Sequence, residues 1–285
     1  MDLHGPDSLR TWFDGYVAGV QSGDPFIDRP LKFKYDHSLR TQAEIRALAK
    51  GLELGEGQQA IAEAIGLLHD VGRFEQFVRY RTYDDTASTD HGVLGAEVLQ
   101  KAHVLADLPA QERQWIEAGV LYHNRRELPT GLDDQTLFFC ELIRDADKLE
   151  IFHIVVDNYR QLAADPAHFE FHLDRPDEPS YSRKVVAATI AGRGVDWKDV
   201  TTLNDIKIMQ LGWVHDINFA VSLQRIVQYQ YLDQILALLP PTEDIRHVRE
   251  AVLRRVRQRL ANAGRADSRK KASGRAALDG TKARP

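Results

Sequence analysis

Residues 61–73, IAEAIGLLHDVGR, decide how this chain folds and where its chemistry lies. Apolar residues recur here at i, i+3, i+4 and i+7, the period of a helix packed on a core. They are Ile61, Ala64, Ile65 and Leu68. We predict this helix over about residues 58–69, with Gly72 breaking it. At its end the pair His69-Asp70 offers a neutral nitrogen and an anionic oxygen to one divalent metal ion.

The rest of the chain shows helical periodicity nearly throughout and no convincing run of alternating β-branched residues. A helix is predicted from about residue 35, with His37 in its first turn, and another starts near His91 after a cap at Ser88, Thr89 or Asp90. Residues 73–90 and 165–182 are predicted to be connections. The other predicted helices cover about 8–21, 111–124, 134 to beyond 155, 183–191, 216–239 and 244–262. The fold class is therefore all-α.

Composition bounds the class of protein. With 285 residues, of which 43% are apolar, the chain can bury a full core. It shows no 18-residue apolar run and no signal-peptide pattern, so we expect a cytoplasmic protein without a membrane partner. The single cysteine, Cys140, excludes an internal disulfide and a thiolate-rich metal site. Histidine and carboxylate side chains are left as metal ligands.

Charge is distributed unevenly along the chain. Residues 264–285 hold seven Lys and Arg against two Asp, so the rest of the chain is more acidic than the net charge of −5 suggests. The tail lacks apolar periodicity and is predicted to be disordered. The acidic body argues against nucleic acid as a partner, because duplex binding needs a basic face.

Further histidines and aspartates accompany the His69-Asp70 pair at intervals of about one helical hairpin. His37 precedes the pair, and His91, His123 and the residues Asp145 and Asp147 follow it. One ligand per helix is the layout that a metal site inside a helical bundle requires. A hydrogen-bonded core histidine is the structural alternative, above all for His91 and His123.

The order of these residues resembles the HD superfamily of metal-dependent phosphohydrolases, over about residues 31–157. LLHDVGR resembles the HD-x-G-Lys/Arg segment of that family, and RDADKLE resembles its terminal Asp-Lys/Arg motif. GRFEQ, the loop ending in DHG, and RDADKLEIF further resemble a bacterial subgroup of HD-domain proteins. The resemblance implies an HD-domain helical bundle with a C-terminal helical extension.

The resemblance also implies a ligand set. It makes four residues the core set around one metal: His37, His69, Asp70 and Asp147. Asp70 would bridge to a second ion, for which His91 and His123 stand where two-metal members place their additional ligands. We therefore expect a binuclear site for divalent metal ions, with Fe, Mn, Co, Ni, Zn and Mg not distinguished.

The last ligand of this set is ambiguous from periodicity, because Asp145 and Asp147 both fall on apolar stripes. The family pattern places its metal-binding carboxylate immediately before Lys or Arg, which favours Asp147 before Lys148. Asp145 would then be an outer group, a candidate acceptor for a ligand imidazole.

Basic residues near the motifs are candidates for holding a substrate phosphate. Arg73 stands where the resembling proteins use a basic residue for this purpose, and its planar guanidinium suits it. The structural alternative is an ion pair with Glu75, Asp84 or Asp85. Weaker candidates are Lys148, Arg125 and Arg126.

The ligand set predicts the reaction class. A divalent ion held by imidazoles and carboxylates lowers the pKa of bound water and polarises a phosphoryl oxygen. We expect hydrolysis of a small-molecule phosphomonoester or phosphodiester, with nucleotides as candidates, in which Asp70, Arg73 and Lys148 act as catalytic residues. Two alternatives remain: a diiron oxygenase built on the same six ligands, and a non-catalytic nucleotide sensor. The sequence leaves a homo-oligomer open.

A second pair, His215-Asp216, repeats the dipeptide without its neighbours. No Gly-Arg follows it, and we predict a structural use with Asp216 capping a helix. The predicted organisation is an N-terminal helix and lead-in (1–30), an HD-type metal-binding core (31–160), a C-terminal helical extension packed on the core (161–262) and a disordered basic tail (263–285).

Overall fold

The structure, a computed structural model, describes the backbone of residues 6–164 and 175–279 and the side chains of 8–161 and 175–264. All regular elements in these ranges are helical, which confirms the all-α prediction. Two short 3-10 helices cover Trp197–Asp199 and Trp213–Asp216. The α-helices are α1 (Pro6–Val20), α2 (Pro25–Gly51), α3 (Glu56–Leu68), α4 (Val71–Tyr80), α5 (His91–Ala102), α6 (Ala110–Tyr122), α7 (Asp134–Ala164), α8 (Arg183–Ile190), α9 (Leu203–Gly212), α10 (Ala220–Gln228), α11 (Tyr231–Leu236) and α12 (Glu243–Asp279).

The chain divides into two compact units, residues 1–154 and residues 155–285. In the first unit α2 packs on α3, α4 on α5, and α6 on both α3 and α5, while α1 contacts α3 and α4. Its core is apolar and fully buried, with the side chains of Phe13, Leu31, Ile65, Phe74, Phe139 and Phe152 at 0% exposure. The finer boundaries predicted at residues 30, 160 and 262 stay predictions.

Helix α2 begins ten residues earlier than the sequence predicts, at Pro25 rather than near Tyr35. Asp24 caps it by accepting a hydrogen bond from the amide of Phe26 at 2.9 Å, and Pro25 occupies a first-turn position that needs no amide donor. His37 therefore lies in the middle of a long helix and not in its first turn.

Helix α4 occupies the start of the predicted connection 73–90, so that prediction is wrong for residues 73–80. Gly72 does not end a helix either; it lies in the first turn of α4. A Cβ atom on Gly72 would come within 2.1 Å of the carbonyl oxygen of His91 and 2.4 Å of the amide nitrogen of Gly95. The glycine is thus required by the close approach of α4 to α5.

The ends of two other helices place candidate ligands. Among the three candidate caps for α5, Asp90 accepts from the amides of Gly92 and Val93. At the end of α6, the buried guanidinium of Arg144, on α7, donates to the carbonyl oxygens of His123, Arg125 and Arg126. These carbonyl oxygens are among those that lack partners within a helix, so α7 fixes the end of α6.

In the second unit α8, α10 and α11 pack with α9 and α12. Helix α9, which the sequence reasoning missed, starts with a capping box between Thr202 and Asp205. The predicted helix 216–239 is two helices, α10 and α11, separated at Gln230, which has a positive φ of 56°.

Helix α12 continues to Asp279, into the stretch 263–285 predicted to be disordered. This stretch is rich in Ala, Arg and Lys, which are strong helix formers. Residues 280–285, and 165–174 of the predicted connection 165–182, lie outside the described residues. Within the described ranges, no helix combines the length and the hydropathy that crossing a bilayer requires.

The close contact at Gly72 gives a test of the packing that positions His91. We expect Gly72→Ala to lower the free energy of unfolding by about 3 kcal/mol, the upper end for overpacking, because both atoms that it meets belong to the backbone. Gly15→Ala is the matched control, since a Cβ atom on Gly15 has nothing within 4 Å. It should raise stability by about 0.5–1 kcal/mol. Urea unfolding measures both; equal effects of the two substitutions would contradict the close approach.

Candidate metal centre

The His69-Asp70 pair forms the joint between two helices. His69 is the C-cap of α3 and Asp70 is the N-cap of α4, with φ −100° and ψ 15°. Both residues are buried, at 0% and 2% exposure. The joint therefore carries two polar side chains into the interior of the first unit, and a buried carboxylate needs compensating partners.

A first group of side chains surrounds one oxygen of Asp70. The Nε2 atoms of His37 (α2) and His69 are 3.2 Å apart, and Oδ1 of Asp147 (α7) lies 3.1 Å from Nε2 of His37 and 3.7 Å from that of His69. Oδ2 of Asp70 lies 3.5 and 3.8 Å from the same two nitrogens. Two helices, α2 and α7, and the joint thus contribute ligand atoms to one small volume.

A second group surrounds the other oxygen of Asp70. The Nε2 atoms of His91, the first residue of α5, and His123, the C-cap of α6, are 3.0 Å apart. Both lie 3.4 Å from Oδ1 of Asp70. Asp70 therefore presents one oxygen to each group, so the structure brings all six predicted ligands together.

The spacing within each group fits a metal ion. Two ligand atoms about 2.1 Å from one ion, at angles of about 90–110°, are about 3.0–3.4 Å apart. Three residues in each group offer ligand atoms that lie within 4.8 Å of one another, His37, His69 and Asp70 in one and Asp70, His91 and His123 in the other. These buried groups could each hold a divalent ion.

The outer nitrogens of the four imidazoles are held by oxygens. Nδ1–H of His69 donates to the carbonyl oxygen of Gly66 at 2.9 Å, and that of His123 to the carbonyl oxygen of Val120 at 2.8 Å. A carbonyl only accepts, so in the neutral ring Nε2 keeps its lone pair. Both rings therefore point an acceptor nitrogen at Asp70, which is the form that binds metals.

Carboxylates hold the outer nitrogens of the other two imidazoles. One of these carboxylates, that of Glu150, was not singled out from the sequence. Nδ1 of His91 lies 2.7 Å from Oδ2 of Asp85, in the loop after α4. Nδ1 of His37 contacts Oε2 of Glu150, which is buried on α7. The one available signal for Glu150 was its position one helical turn after Asp147. Such outer partners fix the orientation of ligand rings.

The charges of the centre shift its pKa values. Burial raises the pKa of the Asp70 carboxyl, but Lys34 and, in their protonated form, the surrounding imidazoles outweigh burial and hold it well below its usual value. Burial lowers the pKa of His91 to about 4 and also lowers that of His69. His37 behaves differently: burial and Lys34 lower its pKa, yet Asp147 and Glu150 raise it to about 9.

Lys34 is a second residue that the sequence did not reveal. Its ammonium, on α2, donates to Oδ2 of Asp70 at 2.8 Å and lies 5.6 Å from the ring centre of Tyr83. The side chain of Lys34 is 16% exposed, whereas that of Asp70 is 3% exposed. A cation at the edge of the centre thus compensates the buried carboxylate.

Arg73 forms the ion pair that was the structural alternative for it. Its Nη1 donates to Oδ1 of Asp85 at 2.9 Å and also to Oε1 of Gln76 and the carbonyl oxygen of Tyr83. Its Nε is 3.7 Å from Oδ1 of Asp70 and has no hydrogen-bond partner in the part of the chain described. Arg73 therefore links the loop after α4 to the centre.

The other candidates for holding a substrate phosphate, Arg125, Lys148 and Arg126, have the following contacts. Arg125 pairs with Asp90 at 3.3 Å, and the ammonium of Lys148 donates to the carbonyl oxygen of Arg144 at 3.4 Å. The carbonyl oxygen of Arg126 accepts from Arg144, as described above. Asp145 is fully buried. The position of Asp147 Oδ1, 3.1 and 3.7 Å from Nε2 of His37 and His69, favours Asp147 as the last ligand.

The His215-Asp216 pair lies in the second unit, in the 3-10 helix Trp213–Asp216. Helix α10 begins at Ala220 after Phe219, so Asp216 does not cap it and this part of the prediction is wrong. Neither residue belongs to the candidate metal-binding groups found among the described residues. The dipeptide alone therefore does not define a metal site.

Comparison with known families agrees with this geometry. Residues 35–151 match the family model of the HD domain, so this part of the chain is an HD domain. The matched range contains all six clustered residues. The resemblance to the HD domain is thereby confirmed, whereas the bacterial subgroup of HD-domain proteins stays a prediction. Comparison with curated proteins found no match, and neither did comparison with solved structures.

Glu150 provides a test of the oxygens that hold the outer nitrogens of the imidazoles. We expect Glu150→Gln to weaken Mn²⁺ binding by about 10–100-fold, because the charge that orients the His37 ring is lost. Glu63→Gln is the matched control, since Glu150 pairs with Arg40 and Glu63 likewise pairs with an arginine, Arg46, but Glu63 belongs to neither group of candidate ligands. Isothermal titration calorimetry measures both affinities. Wild-type affinity in both variants would show that Glu150 has no part in the centre.

Proposed function

We propose that the protein is a metal-dependent phosphohydrolase that cleaves a phosphomonoester or phosphodiester, with nucleotides as candidate substrates. The observation that carries the proposal is the division of the Asp70 carboxylate between two groups of imidazoles. One carboxylate with ligands on both sides is the arrangement that a pair of divalent ions requires.

The proposed ligands are His37, His69, Asp70 and Asp147 for one ion and Asp70, His91 and His123 for the other. Bound ions of this kind supply a hydroxide nucleophile at neutral pH and polarise a phosphoryl oxygen. Burial keeps the His69 and His91 rings neutral and therefore able to ligate. His37, whose pKa Asp147 and Glu150 raise to about 9, would release its second ring proton to solvent when an ion binds. Asp70 and Asp147 stay ionised, and their negative charge balances the cations that they hold.

The edge of the centre favours an anionic substrate. The histidine ligands and Asp70 are at most 4% exposed, but the side chain of Asp147 is 20% exposed. The side chains of Lys34 and Arg73, which lie beside the two oxygens of Asp70, are 16% and 15% exposed. We propose that their two cations hold the phosphate of the substrate, with Lys148 as a further candidate for that role.

Metal content tests the binuclear part of the proposal. We expect two Mn²⁺ ions per chain in wild-type protein and the loss of at least one of them in His91→Ala and in His123→Ala, since each variant removes a ligand of the second group. His103→Asn changes an exposed histidine outside the centre and should keep two ions. Elemental analysis after dialysis gives the stoichiometry; one ion per chain, unaffected by either alanine variant, would refute a second site.

Hydrolysis tests the reaction. Protein loaded with Mn, Co or Ni should release nitrophenol from p-nitrophenyl phosphate or bis-p-nitrophenyl phosphate, or phosphate from a nucleotide panel, under anaerobic conditions. We expect Asp70→Asn to lower the rate of hydrolysis more than about 100-fold, because Asp70 is proposed to bind both ions. A loss of about 100-fold is the most expected for a residue that only contacts a metal ligand.

Other outcomes of the same experiment would replace the proposed reaction. Iron-dependent oxygen consumption without phosphate release would indicate the diiron oxygenase. Nucleotide binding with no hydrolysis of any phosphoester would indicate the sensor.

A further inference from the structure

The second unit contains a cavity of about 560 Å³, within the usual range for small-molecule sites. Its lining comes from the last described turns of α7, the segment before α8, the first half of α9 and the chain after α11. The cavity shares no residue with the candidate metal centre. The lining residues that matter below are Tyr159, Asp177, Asn204, Lys207, Leu239 and Pro240.

Lys207 brings a positive charge into this cavity. The residue is 7% exposed, yet in the part of the chain described its ammonium donates one hydrogen bond, of 3.4 Å, to Oδ1 of Asn204. It also lies 5.3 Å from the ring centre of Tyr159. An ammonium has three protons to donate, and a buried charge without a close counter-ion is costly. Burial accordingly lowers the pKa of Lys207, and Asp177 only partly offsets burial.

The polar neighbours of Lys207 are already engaged elsewhere. The hydroxyl of Tyr159 donates to Oε1 of Gln210 at 3.0 Å. The side-chain amide nitrogen of Asn204 donates to the backbone carbonyl oxygens of Glu178 and Ser180 at 2.8 and 3.3 Å. These hydrogen bonds fix the Tyr159 ring and the Asn204 side-chain amide. Of these three side chains, it is therefore Lys207 whose ammonium protons are left to bind a ligand. The site is built to receive an anionic group.

The remaining lining restricts what that anion can be. Asp177 and Glu178 are exposed and add two negative charges to the one positive charge of Lys207. A dianionic phosphate would therefore meet net repulsion. A monovalent carboxylate that carries its own cationic group would match both signs. Ala237, Leu239 and Pro240 supply an apolar wall for the rest of the ligand.

We propose that this cavity binds a free α-amino acid with an apolar side chain. Its carboxylate pairs with the ammonium of Lys207, its amino group faces Asp177 and Glu178, and its side chain packs against Leu239 and Pro240. A second ligand site, in the C-terminal unit, thus accompanies the HD domain.

Isothermal titration calorimetry on the full-length protein tests this proposal with leucine, phenylalanine and methionine. We expect at least one of them to bind. For leucine, two analogues separate the contributions of the amino group and the carboxylate to binding. 4-Methylpentanoate lacks the amino group, and isoamylamine lacks the carboxylate. Each should bind at least tenfold more weakly than leucine, and inorganic phosphate should not bind competitively.

Variants assign the binding to the cavity. Lys207→Met should weaken amino-acid binding at least tenfold, whereas Lys184→Met, which removes an ammonium 77% exposed and paired with Asp199, should leave it unchanged. Asp177→Asn, an exposed change that does not threaten folding, should weaken leucine binding but not that of 4-methylpentanoate. Lys207→Met without ligand should be at least as stable to heat as wild type, because it removes a costly buried charge.

Three results would overturn the proposal. They are the absence of binding by all three amino acids, wild-type affinity in Lys207→Met, and displacement of bound leucine by phosphate. Because none of these measurements uses hydrolysis or metal loading, they are independent of the phosphohydrolase proposal.

Discussion

The carboxylate of Asp70 is the group on which both halves of the candidate centre depend. Oδ2 faces His37 and His69, and Oδ1 faces His91 and His123, all within 3.8 Å. This position is reached because Asp70 lies at the joint between α3 and α4, inside the first unit. The close packing of α4 on α5 at Gly72 then brings the start of α5 within reach. The helical packing of this unit is therefore organised around one buried carboxylate.

Burying this carboxylate among imidazoles demands compensation, and the surrounding residues provide it. Lys34 donates directly to Asp70, while carbonyl oxygens within α3 and α6 and the carboxylates of Asp85 and Glu150 hold the outer sides of the rings. The oxygens on the outer sides of the rings orient all four Nε2 atoms toward Asp70. Outer partners of this kind fix the orientation of ligand side chains.

The sequence alone predicted α3, α6, α7 and α8 and the six clustered residues, because regular apolar spacing and the order of the motifs can both be seen in one sequence. It missed the early start of α2, where Pro25 looks like a helix breaker but occupies a first-turn position. It missed α9 because Lys207 and other polar residues are buried beside the apolar ones, which hides the helical period. It missed Lys34 and Glu150 because a residue that contacts a ligand through space has no characteristic spacing.

The most direct test of the central role of Asp70 is the anomalous diffraction of crystals of the Mn²⁺-loaded protein. We expect two manganese peaks per chain, about 3.5–4 Å apart, with Oδ1 of Asp70 bound to one ion and Oδ2 to the other. A single peak, or two peaks of which one has no bond to Asp70, would contradict this expectation.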